Sequence, residues 1–190
     1  MEFSELVKSR RSCRSFDETP IPEEHLQAIL KAGQWAPSPL NLQPWEFIII
    51  TDPTIKTRIK EVAEEARQEV IDKNGPGWVK KYEMQFLQQA PVLVVVTVDL
   101  SKGGLGDFFG QRTGAIQAAS ACVQNMMLAA SDQGFETLWF TFFQPEKLKS
   151  VLSIPKHLEI AAVIPMGKPR EAAKAPPRKD PSVHREQYSK

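Results

Sequence analysis

Apolar positions alternate between helical stripes and short continuous runs, a pattern that predicts mixed helices and strands. Phe3, Leu6 and Val7 share one helical face, so a short helix is expected before Arg10. A second helix opens near Pro22, where Glu23 and Glu24 suit its dipole, carries Leu26, Ile29 and Leu30 inward and ends near Gly33. Residues 45–51 (WEFIIIT) read as a strand, and 53–73 as a charged amphipathic helix with Ile55, Ile59, Val62, Ala66 and Val70 on one side. Asn74-Gly75-Pro76-Gly77 breaks that helix, and a further helical stretch is expected over 78–89.

The run 92–98 (VLVVVTV) has the character of a strand buried on both faces. Residues 113–133 are rich in alanine and apolar nearly all round, as suits a helix at the centre of a fold or in a large interface. Residues 137–143 (TLWFTFF) read as another strand or extended segment and 159–166 (EIAAVIPM) as the last strand candidate, with a short helix over 145–152 between them. After Gly167 the chain turns polar, and 168–190 carries four prolines, so it reads as an extended arm of one domain spanning 1–190. The fold class is α+β.

Composition narrows the partners. Lysine and arginine number 24 against 23 acids, a net charge of +1, which gives no general reason to expect nucleic acid or a membrane surface. Cys13 and Cys122 are too few for a disulfide framework or a tetrahedral metal site. The opening MEFSE lacks the regions of a signal peptide, and no apolar run reaches the roughly 18 residues of a membrane span, so the chain reads as cytoplasmic and reduced.

Four segments could carry chemistry. Ser9-Arg10-Arg11-Ser12-Cys13-Arg14 places guanidiniums and hydroxyls together, as a phosphate site would; it also suits a solvated basic turn. In the 37–45 loop, prolines restrict the backbone around Ser38, Asn41 and Gln43, whose amides both donate and accept, as the edge of a flat heterocycle requires; an ordinary polar turn is the other reading. Gly134 suits a helix C-cap, and Trp139, Phe140, Phe142 and Phe143 suit a core. Gly167-Lys168-Pro169 with Arg178 downstream reads, by itself, as a basic tail. His25, His157 and His184 are scattered and read as structural or solvated, no metal-ligand spacing is visible, and no GxGxxG marks a dinucleotide fold.

Taken together, RRSxRxF, then APSxxNxQPW before a strand, then an Ala-rich helix ending QGFETLW, then a strand running into MGKP with a distal arginine resemble the nitroreductase family, in order, from about Lys8 to Arg178. The resemblance implies a central, mainly antiparallel sheet flanked by helices, a long buried helix at a homodimer interface, an extended C-terminal arm, and FMN between the subunits. It implies that Arg10 and Arg178 bind the FMN phosphate and that Arg11 and Ser12 surround phosphate and ribityl. Arg14 would stand near N1 and O2 of the isoalloxazine ring, where a fixed positive charge favours the reduced flavin. Pro37, Ser38, Pro39, Asn41 and Gln43 would reach the ring from the partner subunit. Trp139, Phe140 and Thr141 would run beside it, with backbone N–H groups near N5.

The activity implied is hydride transfer from NAD(P)H through FMN to a small electron-poor acceptor such as a nitroaromatic or quinone, by a ping-pong mechanism with no catalytic side chain. Alternatives are a reductive dehalogenase or an oxygen-using flavin-fragmenting enzyme of the same fold, a flavin sensor or store, and a polyanion-binding module. The chain departs from the family pattern at Pro39-Leu40, where a small residue and glycine are common, at Phe140-Thr141-Phe142, and at Lys168.

Overall fold

A computed structural model describes residues 1–173 and 175–188. Its organising element is the run expected at 92–98, which forms β2 (Val92–Asp99). Strand β2 pairs antiparallel with β1 (Trp45–Ile50) on one side and β4 (Leu158–Gly167) on the other, and the two-residue β3 (Glu136–Thr137) completes the order β1-β2-β4-β3. Alternation sends Val92, Val94 and Val96 to one face of the sheet and Leu93 and Val95 to the other.

Both faces are covered. The first packs against α2 (Glu23–Gln34) and α5 (Gly114–Asp132) through Leu26, Ile29, Val123 and Met126. The second packs against α3 (Pro53–Asp72), α4 (Phe86–Gln89) and α6 (Pro145–Leu152) through Ile59, Val62, Phe86, Leu87 and Leu148. Fully burying one such side chain contributes about 1.5–3 kcal/mol, so a strand apolar on both sides is stable only between two helical layers. The short α1 (Phe3–Ser9) rests on α5 and buries only Leu6, leaving Phe3 and Val7 exposed.

The helix predicted at 53–73 begins where Asp52 accepts hydrogen bonds from the N–H groups of Thr54 and Ile55, at 2.7 and 3.2 Å, with Pro53 in the first turn. Its pattern hides one surprise. Lys56 is buried and donates to the carbonyls of Gln88 and Ala90, at 3.2 and 3.0 Å, so its ammonium closes the C-terminal end of α4. Burial holds the Lys56 pKa below its ordinary value.

The structure corrects one expectation and sharpens two others. The stretch 78–89 is not one helix: a 3₁₀ turn (Gly77–Lys81) ends at Tyr82, whose extended ψ of 98° breaks it, and only the four residues of α4 are α-helical. Of the two forms expected over 137–143, the structure has the extended segment: only Thr137 belongs to β3, and a lone bridge joins Phe140 to Val163. Leu138 donates to the carbonyl of Pro165, but proline has no N–H to return, so the ladder is interrupted there. Helix α2 ends at Gln34, next to Gly33 as expected, and Gly33 is in addition a contact glycine facing α5. A Cβ at position 33 would stand 2.7 Å from Met126 Cγ and 3.0 Å from Cys122 Sγ.

In an open helix Gly→Ala gains about 1 kcal/mol. For Gly33→Ala the overpacking against α5 should reverse the sign, with a net loss of about 1–2 kcal/mol. The check is the urea midpoint at unchanged slope; a variant as stable as wild type would mean that α2 and α5 can part freely.

Candidate functional site

The site grows from the β3 edge of the sheet. The chain leaves α1 extended at Arg10, and Ser12 forms a parallel bridge with Thr137, the N–H of Cys13 donating to the Thr137 carbonyl at 3.0 Å. The start of the C-terminal arm joins the same segment: Asp17 N–H donates to Lys168 O at 2.8 Å and Arg170 N–H to Ser15 O at 3.1 Å. Cys13 and Phe16 are buried in the core, while Arg10, Arg11, Ser12 and Arg14 line a cleft of about 810 Å³. The arm brings Arg178 to its far wall.

The cleft is strongly cationic at its base. Burial lowers the pKa of the Arg10 guanidinium, and the charges of Arg11 and Arg178 push the same way against Glu136. Arginine nevertheless stays protonated at any physiological pH. Glu136, half-buried, accepts the Arg11 N–H at 3.3 Å and the Ser131 hydroxyl at 3.5 Å. Burial raises its carboxyl pKa, the Arg11 N–H and the neighbouring arginine charges resisting. Two buried side-chain groups, Arg10 Nη1 and the Thr137 hydroxyl, have no hydrogen-bond partner among the described residues, and of these Arg10 Nη1 carries charge. An orphaned charged donor beside two more arginines fits an anion with several acceptor oxygens, such as a phosphate.

A second cleft, of about 420 Å³, adjoins the first and shares Arg14 with it. Its walls are Trp78 and Tyr82 on one side and Trp139, Thr141 and Phe142 on the other. Leu138 and Phe140 donate their N–H groups to Pro165 and Val163 of β4, at 3.2 and 3.0 Å. Alternation therefore turns the N–H groups of Trp139 and Thr141 away from β4.

Phe140 lines the same cleft. Its N–H donates to Val163 and its ring is buried against Phe86 at 5.5 Å, so its backbone offers no free donor there.

The loop holding Pro37, Ser38, Pro39, Asn41 and Gln43 lines neither cleft. It packs by Pro39 against Gly104 and Gly114, at the start of α5. The loop is tied internally, Gln43 N–H donating to Ser38 Oγ at 3.0 Å and the Gln43 amide to Asn41 at 3.3 Å. Leu40, Asn41 and Gln43 all have positive φ, 49°, 55° and 45°. For leucine that is a strained conformation, at the position where the family pattern commonly has glycine.

Within this chain, then, Arg10, Arg11, Ser12, Arg14 and Arg178 come together, Trp139 and Thr141 join them through Arg14, and the 37–43 loop stands apart. Sequence reasoning missed Glu136, Trp78 and Tyr82. Glu136 lies inside QGFETLW, 125 residues from Arg11 in sequence, so its place in that motif was the one available signal.

A model of the Nitroreductase family matches residues 7–168. The chain belongs to the nitroreductase family. Its relatives include iodotyrosine deiodinase 1 of Rattus norvegicus, 30% identical over 186 residues; the match takes in 92% of this chain but only 65% of the rat protein's length. They also include iodotyrosine deiodinase of Haliscomenobacter hydrossis (29% identical over 186 residues, 92% of this chain and 82% of that protein) and NADH dehydrogenase of Thermus thermophilus (26% over 190 residues, 85% and 84%). Among solved structures, oxidized iodotyrosine deiodinase bound to FMN and 3-iodo-L-tyrosine superposes with a TM-score of 0.86 at 25% identity, covering 97% of this chain and 99% of that one. An FMN-dependent nitroreductase from Clostridium difficile R20291 superposes with a TM-score of 0.74 at 24% identity, covering 96% and 98%, a likeness of fold. The nitroreductase fold, α+β with an antiparallel sheet between helices, is the fold of this chain.

Glu136 gives a pH test on the ligand-free protein. Because its folded pKa is raised, the ionised form costs stability, a cost absent when the carboxyl is protonated in both states. The stability held below the usual carboxylate pKa is therefore lost as pH rises through the folded value. Glu136→Gln cannot ionise, so its thermal midpoint should gain on wild type as pH climbs through and just above the ordinary carboxylate range. A difference independent of pH would show that the carboxylate is fully compensated by its arginines.

Proposed function

We propose that this chain is an FMN-dependent oxidoreductase that takes electrons from NAD(P)H and delivers them to a small, flat, electron-poor acceptor such as a nitroaromatic or a quinone. The observation that carries the proposal is the buried, unpartnered Arg10 Nη1 in a cleft that Arg11, Ser12 and Arg178 also line. Those four residues hold the phosphate end of FMN, and Arg14, common to both clefts, stands between phosphate and ring. FMN, when bound, supplies two-electron chemistry that no side chain provides. The chain contributes binding, a positive charge from Arg14 beside the ring, and aromatic walls that exclude water.

A homodimer belongs to the same proposal. The 37–43 loop presents Leu40 and Leu42 beside the 3₁₀ turn (Gly104–Phe109), where Leu105, Phe108 and Phe109 are exposed, and Ile116 of α5 continues the patch. Apolar exposure on that scale, concentrated around the N-terminus of α5, favours burial against a second copy, which would also carry Pro37, Ser38, Pro39, Asn41 and Gln43 to the partner's ring. The reducing cytoplasm suits the two unpaired cysteines.

Reductive dehalogenation is the second reading, favoured by the likeness to iodotyrosine deiodinase. The ring cleft weighs against a free amino acid as substrate, since Arg14 is the one charged residue among its lining side chains and no carboxylate there could receive an ammonium group.

The purified protein is expected to be yellow, and anaerobic NADH or NADPH should bleach it rapidly. Bands that persist would instead favour a flavin sensor or store. A hydrogen bond to a charged group contributes about 1.5–3 kcal/mol, so Arg10→Ala and Arg178→Ala should each weaken FMN binding by roughly 10- to 150-fold. Tight FMN binding in both variants, or a colourless wild type that refuses added FMN, would overturn the proposal. Light scattering of the holoprotein should return twice the chain mass.

A further inference from the structure

Tyr82, in the wall of the ring cleft, is held through both its backbone and its ring. Its carbonyl accepts from Arg67 Nη1 of α3 at 3.2 Å, and its N–H donates to Val79 O at 3.1 Å. Its ring meets Trp78 edge-on at 5.7 Å, Phe86 edge-on at 6.2 Å and Phe142 tilted at 6.2 Å. A ring packed on three sides by aromatic neighbours has little rotamer freedom, so its hydroxyl is a fixed point in the wall.

That hydroxyl accepts a hydrogen bond from Arg14 Nε at 3.3 Å, and Arg14 Cζ lies 5.7 Å from the Tyr82 ring centroid. Arg14 also donates from Nη1 to Ser12 O at 3.4 Å. Among the described residues no carboxylate pairs with Arg14; its place at the junction of the two clefts depends on one phenol and one backbone carbonyl. The contrast with Arg10 is clear, since Arg10 is fixed by burial and faces Glu136. A carboxylate partner would cancel the field of Arg14 at the ring, whereas a neutral hydroxyl orients the guanidinium and leaves its charge intact.

We propose that Tyr82 is a positioning residue for the flavin: it aims the Arg14 charge at the ring and thereby sets how much more tightly reduced FMN is held than oxidised FMN. This inference rests on the flavin reading above. Reduction adds negative charge to the isoalloxazine, so a cation fixed beside it strengthens binding of the reduced form selectively. Freed from the hydroxyl, Arg14 would swing into solvent, and the selectivity would fall while the phosphate grip of Arg10 and Arg178 stayed unchanged.

The test measures dissociation constants of oxidised and of dithionite-reduced FMN for wild type, Tyr82→Phe, Arg14→Lys and the double variant. Tyr82→Phe keeps the aromatic packing and removes only the hydroxyl. It should leave oxidised FMN binding within about twofold and weaken reduced FMN by about five- to tenfold, less than the loss of a direct contact to the ligand because Tyr82 acts through Arg14. Because Tyr82 acts through Arg14, the double variant should lose no more reduced-state affinity than Arg14→Lys alone. An unchanged ratio of the two affinities in Tyr82→Phe, or losses that simply add, overturns the inference and leaves the flavin reading standing. A wild type that binds no FMN overturns both.

Discussion

The constraint on which the rest of the molecule depends is that β2 has no face it can show to water. Val92, Val94 and Val96 require one helical layer and Leu93 and Val95 another, so the sheet is committed to the middle of the fold. Its antiparallel neighbours satisfy the backbone of β2 on both sides, so β1 and β3 are the edges of the sheet, where further chain can attach. The segment after α1 attaches to β3 through the bridge Ser12–Thr137, and the root of the C-terminal arm pairs in turn with that segment through Phe16–Pro169. The cationic cleft thus stands at a sheet edge because an edge has unpaired backbone groups to offer.

Electrostatics then works against the fold at that edge. Three arginines converge with one carboxylate, and burial pushes Arg10 and Glu136 in the directions that mark charges deprived of water. Half-buried charges that are imperfectly paired are costly, and an anion that bound them would offset the cost. The same logic separates the two kinds of arginine in the site. Arg10 is arranged to receive charge directly, whereas Arg14 is exposed and keeps its field because only neutral groups hold it.

Much of this was legible in the sequence. The apolar run of β2, the Ala-rich α5, the amphipathic α3 and the spacing of RRSxRxF with QGFETLW depend on local residue chemistry, which a pattern records. What escaped depends on tertiary pairing. Proline at 165 silenced one rung of the ladder and left only Thr137 of the stretch 137–143 inside a strand, which is visible only once the strands are aligned. Lys56 interrupts no periodicity, and its role as the closing charge of α4 follows from a neighbour some thirty residues away. Trp78 and Tyr82 sat in a stretch whose helical appearance concealed an extended residue at the cleft wall.

The order β1-β2-β4-β3 also bears on how such a chain is made. No two paired strands are joined by a tight hairpin: β1 ends at Ile50 and β2 begins at Val92, and β2 ends at Asp99 while β4 begins at Leu158. Strand β2 must therefore emerge from the ribosome and wait for β4, carrying VLVVVTV without its second neighbour. A bare β-branched run of that kind is a nucleus for association between nascent chains. Cellular yield should then depend on how quickly residues 158–167 follow, more than on the stability of the finished fold.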